Sequence, residues 1–204
     1  MPNPLVPGDE LAAPDGVVAR LIRTTAGSTA AALEVEWTVP PGGRLVAIPH
    51  RHPTGPEEWR VVAGRARFHV GWGAARLMPA PGNWTVPADT MHVHPSNAGD
   101  EPLVARQTIA PDPPEPELTG GVERYFETFF ALAQRGGVDR FGRVKDPLQD
   151  AISIWENLIP GSYIAGIPTS VQRPLLRAGA ALAARRGRVG WVAAERRVSA
   201  SSGP

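Results

Sequence analysis

The chain has 204 residues, 42% hydrophobic and 20% charged, with a formal net charge of +1. That composition suits one globular domain with an appendage, and it lacks the strong basic excess of a nucleic-acid-binding protein. There is no cysteine, which excludes disulfides and thiolate ligands, leaves imidazole, carboxylate, carbonyl and water as metal donors, and fits a cytoplasmic protein.

Residues 1–15 are rich in proline, carry Asp9 and Glu10, and read as an N-terminal tail. No basic stretch leads into an apolar run, so a secretory signal is not expected. No apolar run approaches the roughly 20 residues of an integral membrane segment. Over 16–108 the period is two. Leu33, Val35, Trp37 and Val39 alternate with Glu34, Glu36 and Thr38. Val46 and Ile48 lead towards His50 and His52, and Trp59 and Val61 follow Glu57. Ala66, Phe68 and Val70 then alternate with Arg65, Arg67 and His69. This is the alternation of strands with one buried face. Turn signals at 40–43, 71–73, 79–82 and 97–100 separate the runs, and many short strands joined by turns predict a β sandwich or barrel over 16–110.

The proline-rich stretch 111–118 cannot be helix and reads as a stiff connector. Beyond it the period becomes helical. Val122, Phe126, Phe129, Phe130 and Ala133 share one face up to Gly136-Gly137. Asp146-Pro147 reads as an N-cap followed by proline at the first helical position, ahead of Leu148, Ala151, Ile152 and Trp155. A third helix is expected to begin near Thr169 or Ser170, with Pro174 in its first turn, and to run to Gly187. The chain thus divides into a tail (1–15), a barrel (16–110), a connector (111–118), a helical extension (119–187) and a flexible basic tail (188–204).

The chemistry concentrates in two segments. His50 and His52 are two apart, so on a strand they point the same way. Glu57 opens the next strand after a Pro-Thr-Gly-Pro turn, and a turn at Pro87-Ala88-Asp89 delivers His92 to the start of another. Three imidazoles and a carboxylate suit Fe, Mn, Ni, Co or Zn, and leave the open positions that a catalytic centre needs. His94, two residues past His92, either shares the inward face as an acid–base group or stands at the rim. Trp37, Trp59, Trp72 and Trp84 form either barrel core or an aromatic pocket, with Trp59 the best wall for a substrate. Arg106 on the last strand binds an anionic substrate if it points inward, and is a surface arginine otherwise. His69 and Glu58 should face outward.

These segments resemble the two motifs of the cupin superfamily. In the first, His50, His52, Glu57 and Gly64 stand at the family spacing, with Gly43 one residue too far upstream. In the second, Pro87 and His92 match, Gly82 is one residue closer, Asp89 replaces a glycine and Asn97 stands one residue late. Asp accepts the left-handed conformation better than most residues. The C-terminal part is similar to the extension of a group of bacterial cupin-domain proteins, in its phenylalanine-rich segment, in Pro147-Leu148-Gln149 and in the stretch 168–173. The resemblance implies a mainly β fold, a cupin jelly-roll β-barrel followed by a C-terminal α-helical extension. It further implies one divalent metal ion on His50, His52, Glu57 and His92, with Fe or Mn favoured and Zn, Ni or Co as alternatives. The leading expectation is a metal-dependent, dioxygenase-like enzyme acting on a small organic molecule inside the barrel. A Lewis-acid isomerase, cyclase or lyase and a non-catalytic ligand-binding barrel are the alternatives. The expected partners are a small-molecule substrate and a second copy in a homodimer, with no nucleic acid.

Overall fold

The computed structural model describes residues 3–25, 32–45, 48–53, 55–111, 113–139 and 141–198. Val46, Asp112 and 199–204 lie outside the described residues. The strands are β1 (Asp9–Ala12), β2 (Val18–Arg23), β3 (Leu33–Val39), β4 (His50–Arg51), β5 (Glu57–Ala63), β6 (Arg65–Val70), β7 (Arg76–Pro79), β8 (Gly82–Val86), β9 (His92–Asn97), β10 (Leu103–Ile109), β11 (Tyr163–Ile164) and β12 (Arg196–Val198). The helices α1 (Pro116–Gln134), α2 (Pro147–Asn157) and α3 (Thr169–Arg185) all follow β10, as the change of period predicts.

Two antiparallel sheets face each other. One has the order β12-β1-β2-β3-β10-β5-β8, the other β11-β4-β9-β6-β7. Leu33, Val35, Trp37 and Val39 on β3 and Leu103, Ala105, Gln107 and Ile109 on β10 turn inward, and the residues between them stay partly exposed. Gly64 joins β5 to β6 at φ +77°, where a Cβ would lie 2.7 Å from the Pro102 carbonyl oxygen; only glycine accepts both constraints. Asn97 closes the turn after β9: its Nδ2 donates to Val39 O and Glu101 O, and its Oδ1 accepts from Gly99 N. Its late position thus serves a longer turn.

The helices join the barrel in two ways. From α1, Val122, Phe126 and Phe130 enter the barrel's own core. Trp37 meets Phe126 edge-on at 5.3 Å and stacks on Phe130 at 6.2 Å. By contrast, α2 and α3 share a small cluster of Ile152, Ala180 and Ala183. Asp146 caps α2 by accepting from Leu148 N and Gln149 N. Contrary to expectation, Pro174 lies inside α3 beyond its first turn, and neither Thr169 nor Ser170 caps the helix, whose N-cap is Pro168. Gln172 ties down the start instead, bonding the carbonyls of Ile164 and Ile167 and the N–H of Ile164.

The described parts of the two expected tails are packed. Leu5 and Leu11 are buried, and β1 pairs with β2 on one side and β12 on the other. A buried charge adds to this apolar burial and strand pairing. Glu127 on α1 is fully buried, and a buried carboxylate needs partners. Trp191 donates to it at 2.6 Å and Arg196 pairs with it at 2.6 Å, while Arg196 also reaches Asp9 at 3.1 Å. No helix among the described residues is long and apolar enough to cross a membrane.

Candidate metal centre

Strand pairing brings the ligands together. His50 on β4 pairs directly with His92 on β9, and their rings lie 4.2 Å apart. Glu57 opens β5 in the facing sheet and is 2% exposed. Its Oε2 stands 3.2 Å from His52 Nε2 and 3.4 Å from His92 Nε2. One ligand atom from each of His50, His52, Glu57 and His92 lies within 4.8 Å of all the others. The turn before His92 keeps its shape because Asp89 adopts φ +57° and its carboxylate binds Arg51.

Each of the three imidazoles is oriented through its other nitrogen. Nδ1 of His50 meets Ile48 O at 2.8 Å, that of His92 meets Thr90 O at 3.0 Å, and that of His52 meets Gly161 O at 3.2 Å. A carbonyl oxygen only accepts, so each Nδ1 carries the hydrogen and each Nε2 presents a lone pair. The Nε2 atoms of His52 and His92 and Glu57 Oε2 are buried with no hydrogen-bond partner among the described residues. Lone pairs aimed at a carboxylate oxygen repel unless a cation lies between them, which is the donor arrangement of a divalent metal site.

The electrostatics agree. Burial opposes ionisation of Glu57, but a hydrogen on Nε2 of His52 or His92 would bond to it, which holds the carboxyl well below the usual carboxylate range and raises His92, so that proton and metal compete for the same atoms. Burial, reinforced by His94 and His92, holds His50 well below the ordinary histidine value, so its ring is neutral. His94 is inside, not at the rim, because it shares the inward parity of His92 on β9. Its Nε2 lies 3.8 Å from Glu57 Oε1, and burial lowers its pKa to about 4 against the pull of Glu57.

Beside the ligands lies a chamber of about 90 Å³. His50, His52, His94 and Gln107 line it from the barrel, and Tyr125, Asp150, Ile154 and Tyr163 from the extension. The extension also adds β11 to the edge of β4, and its Gly161 carbonyl fixes His52.

Two expected substrate contacts are placed elsewhere. Trp59 does not line the chamber: it is 2% exposed and donates its Nε1 hydrogen to Glu57 Oε1, bracing the ligand from behind. Trp84 stacks on Trp59 and Phe68, Trp37 is core, and Trp72 is on the surface. Arg106 points outward by strand parity and pairs with Glu36 at 2.8 Å. Sequence reasoning passed over Gln107, Tyr125 and Asp150. Gln107 carried a signal, as a lone polar residue at an inward position among Leu103, Ala105 and Ile109. Asp150 and Tyr125 carried none, because only the docking of the helices turns them to the chamber.

No family model matches the chain, and no curated protein matches it. Solved structures are similar to parts of it. An uncharacterized conserved protein with a double-stranded β-helix domain from Klebsiella pneumoniae is 24% identical, over 48% of this chain and 80% of that one, at a TM-score of 0.40. A cupin-like protein from Thermotoga maritima is 21% identical, over 47% and 68%, at 0.41. A structure of Bacillus subtilis oxalate decarboxylase, from work on its Mn(II) centres, is 29% identical, over 48% and 26%, at 0.39. Two antiparallel sheets facing one interior, with both histidine segments meeting inside, make this chain a β jelly roll with C-terminal helices packed against it.

Proposed function

We propose that the protein is a cytoplasmic, metal-dependent enzyme that performs an oxygenase-like reaction on a small organic molecule. The observation that carries this reading is the convergence of the ligand atoms of His50, His52, His92 and Glu57, with their imidazole Nδ1 atoms tied to carbonyls, next to a small, mostly apolar chamber. A bound Fe or Mn ion supplies Lewis acidity and access to a second oxidation state, whereas Zn supplies Lewis acidity alone. His50, His52, Glu57 and His92 hold the ion. Trp59 fixes Glu57 through its indole N–H. His94 stands beside the ligands with its Nε2 buried and unpartnered among the described residues, placed to exchange a proton with the substrate. The apolar walls from the extension exclude bulk water from that step. A homodimer is the expected assembly, and the exposed Val171 and Leu175 of α3 are a surface it would cover.

The alternatives share the same ligands and separate by experiment. Purified protein supplied with Fe or Mn is expected to hold about one equivalent, and His92→Ala less than about a tenth of that. The variant should keep its far-ultraviolet circular dichroism, because backbone pairing and apolar burial hold the sheets. Stoichiometric metal in His92→Ala would overturn the ligand set. Metal uptake without oxygen consumption across candidate substrates would leave the Lewis-acid or ligand-binding reading in its place.

A further inference from the structure

We propose that Gln107 and Asp150 form a substrate-recognition pair, selecting a small aliphatic hydroxycarbonyl compound, a hydroxy acid or hydroxy ketone. The carbonyl or carboxylate oxygen accepts from Gln107 Nε2, and the hydroxyl donates to the Asp150 carboxylate. The proposal rests on the metal-centre reading for the location of the reacting end, but neither hydrogen bond involves the ion.

Gln107 is 1% exposed, and its Oε1 accepts from Trp37 Nε1 at 2.9 Å. An indole nitrogen only donates, so the amide cannot be the other way round. Its NH₂ group is therefore fixed away from Trp37, and Nε2 is buried with no partner among the described residues. An unpaired buried donor costs about 1–3 kcal/mol. Gln107 also lines the chamber, so an acceptor entering there removes that cost.

Asp150 reaches the same chamber from α2. Its carboxylate makes no hydrogen bond or ion pair among the described residues, and burial pushes its pKa up to about 6. Near neutral pH it is mostly ionised and needs a donor. Tyr125, also on the chamber, is held neutral by burial and by the nearby Asp150 charge. Acceptor and donor requirements thus come from the barrel and the extension respectively, and both residues line the same, mostly apolar chamber. Size narrows the ligand further. A cavity of roughly 150 Å³ takes a benzene ring, whereas this chamber is about 90 Å³. Its enclosed space suits a skeleton of a few heavy atoms better than an aromatic ring.

The test is calorimetric titration of the full chain, with and without Mn(II), using glycolate, acetate and benzoate as probes. Wild type should bind glycolate at least about tenfold more tightly than acetate, and benzoate not at all. Gln107→Met removes the donor and should weaken glycolate about tenfold or more. Where loss of the Trp37 acceptor unfolds that variant, Gln107→Glu keeps an acceptor for Trp37 and replaces the NH₂; the same loss is expected. Asp150→Leu removes the acceptor and should erase the preference for glycolate over acetate, a preference that simple chelation by the metal would retain. The proposal falls if folded Gln107 variants bind glycolate within about twofold of wild type, if Asp150→Leu keeps the preference, or if benzoate binds as well as glycolate. It also falls if wild type binds no glycolate at ~10 mM. Metal content is measured on the same samples. Failure to hold Mn(II) sinks the metal-centre reading, while the metal-free titrations still judge Gln107 and Asp150.

Discussion

The barrel and the helical extension build one chamber by different physical means. Every candidate ligand lies on or beside a strand, and strand pairing aligns two of them: His50 and His92 face each other because β4 and β9 pair. The extension contributes through helix faces and a loop carbonyl, Gly161 O, which depend on docking. The extension is also divided. Helix α1 belongs to the barrel core through Phe126 and Phe130, whereas α2 and α3 share a core of three buried residues. The lesson is that the candidate ligands rest mainly on the rigid, strand-paired part, with His52 oriented from the extension, and the chamber's outer wall rests on the part with fewer buried apolar residues.

The largest expected effect comes from the rigid part. Phe130 is 1% exposed and packed on Trp37, so Phe130→Ala should cost about 3–5 kcal/mol, read as a fall in the denaturant midpoint of the whole molecule. If only helical signal is lost first, α1 is not part of the barrel core and the comparison breaks.

An intermediate effect comes from the chamber wall. Asp150 has a folded pKa of about 6, raised by burial, against roughly 3.9 unfolded. Between these values the folded state binds more protons than the unfolded one, so stability falls as pH rises through the window. Asp150→Asn removes the charge and should gain about 2 kcal/mol above pH ~6, with the gain vanishing below pH ~4. Thermal melts across pH check this; a gain that is equal at all pH values would show that the charge is not buried.

The smallest effect concerns α2 itself. Asp146→Ala removes the N-cap of α2 and its 2.6 Å ion pair with Arg188, and should cost about 1 kcal/mol. Hydrogen exchange should localise the loss to α2 and its partner α3. Loss spread evenly over the barrel strands would erase the distinction drawn between the two regions.

Much of this was legible in the residues. His50 and His52 two apart, Glu57 opening a strand and His92 after a turn sufficed to name the cluster, because strand side chains alternate with a fixed period. Parity also held the answer for Arg106, which alternates with Ala105 and Gln107 and so must face out. For Trp59, parity gives the inward direction, but not that its indole is spent on Glu57 and packs behind His94 instead of lining the chamber. Residues 3–15 read as a tail and 188–198 as flexible because their packing depends on long-range contacts: β1 pairs with β12, and Glu127 holds Trp191 and Arg196 from 64 and 69 positions away.

The sequence by itself determined the alternation of strands and the later change to helical period, since each follows from spacing along a local repeat, and its resemblance to two known motifs pointed to the converging donors. Only the tertiary structure decided which carbonyls hold the imidazoles, that Gln107 keeps an unpaired amide, and that Asp150 faces the chamber. Those depend on how separate elements dock, and docking is settled by burial and polar satisfaction between residues far apart in the chain.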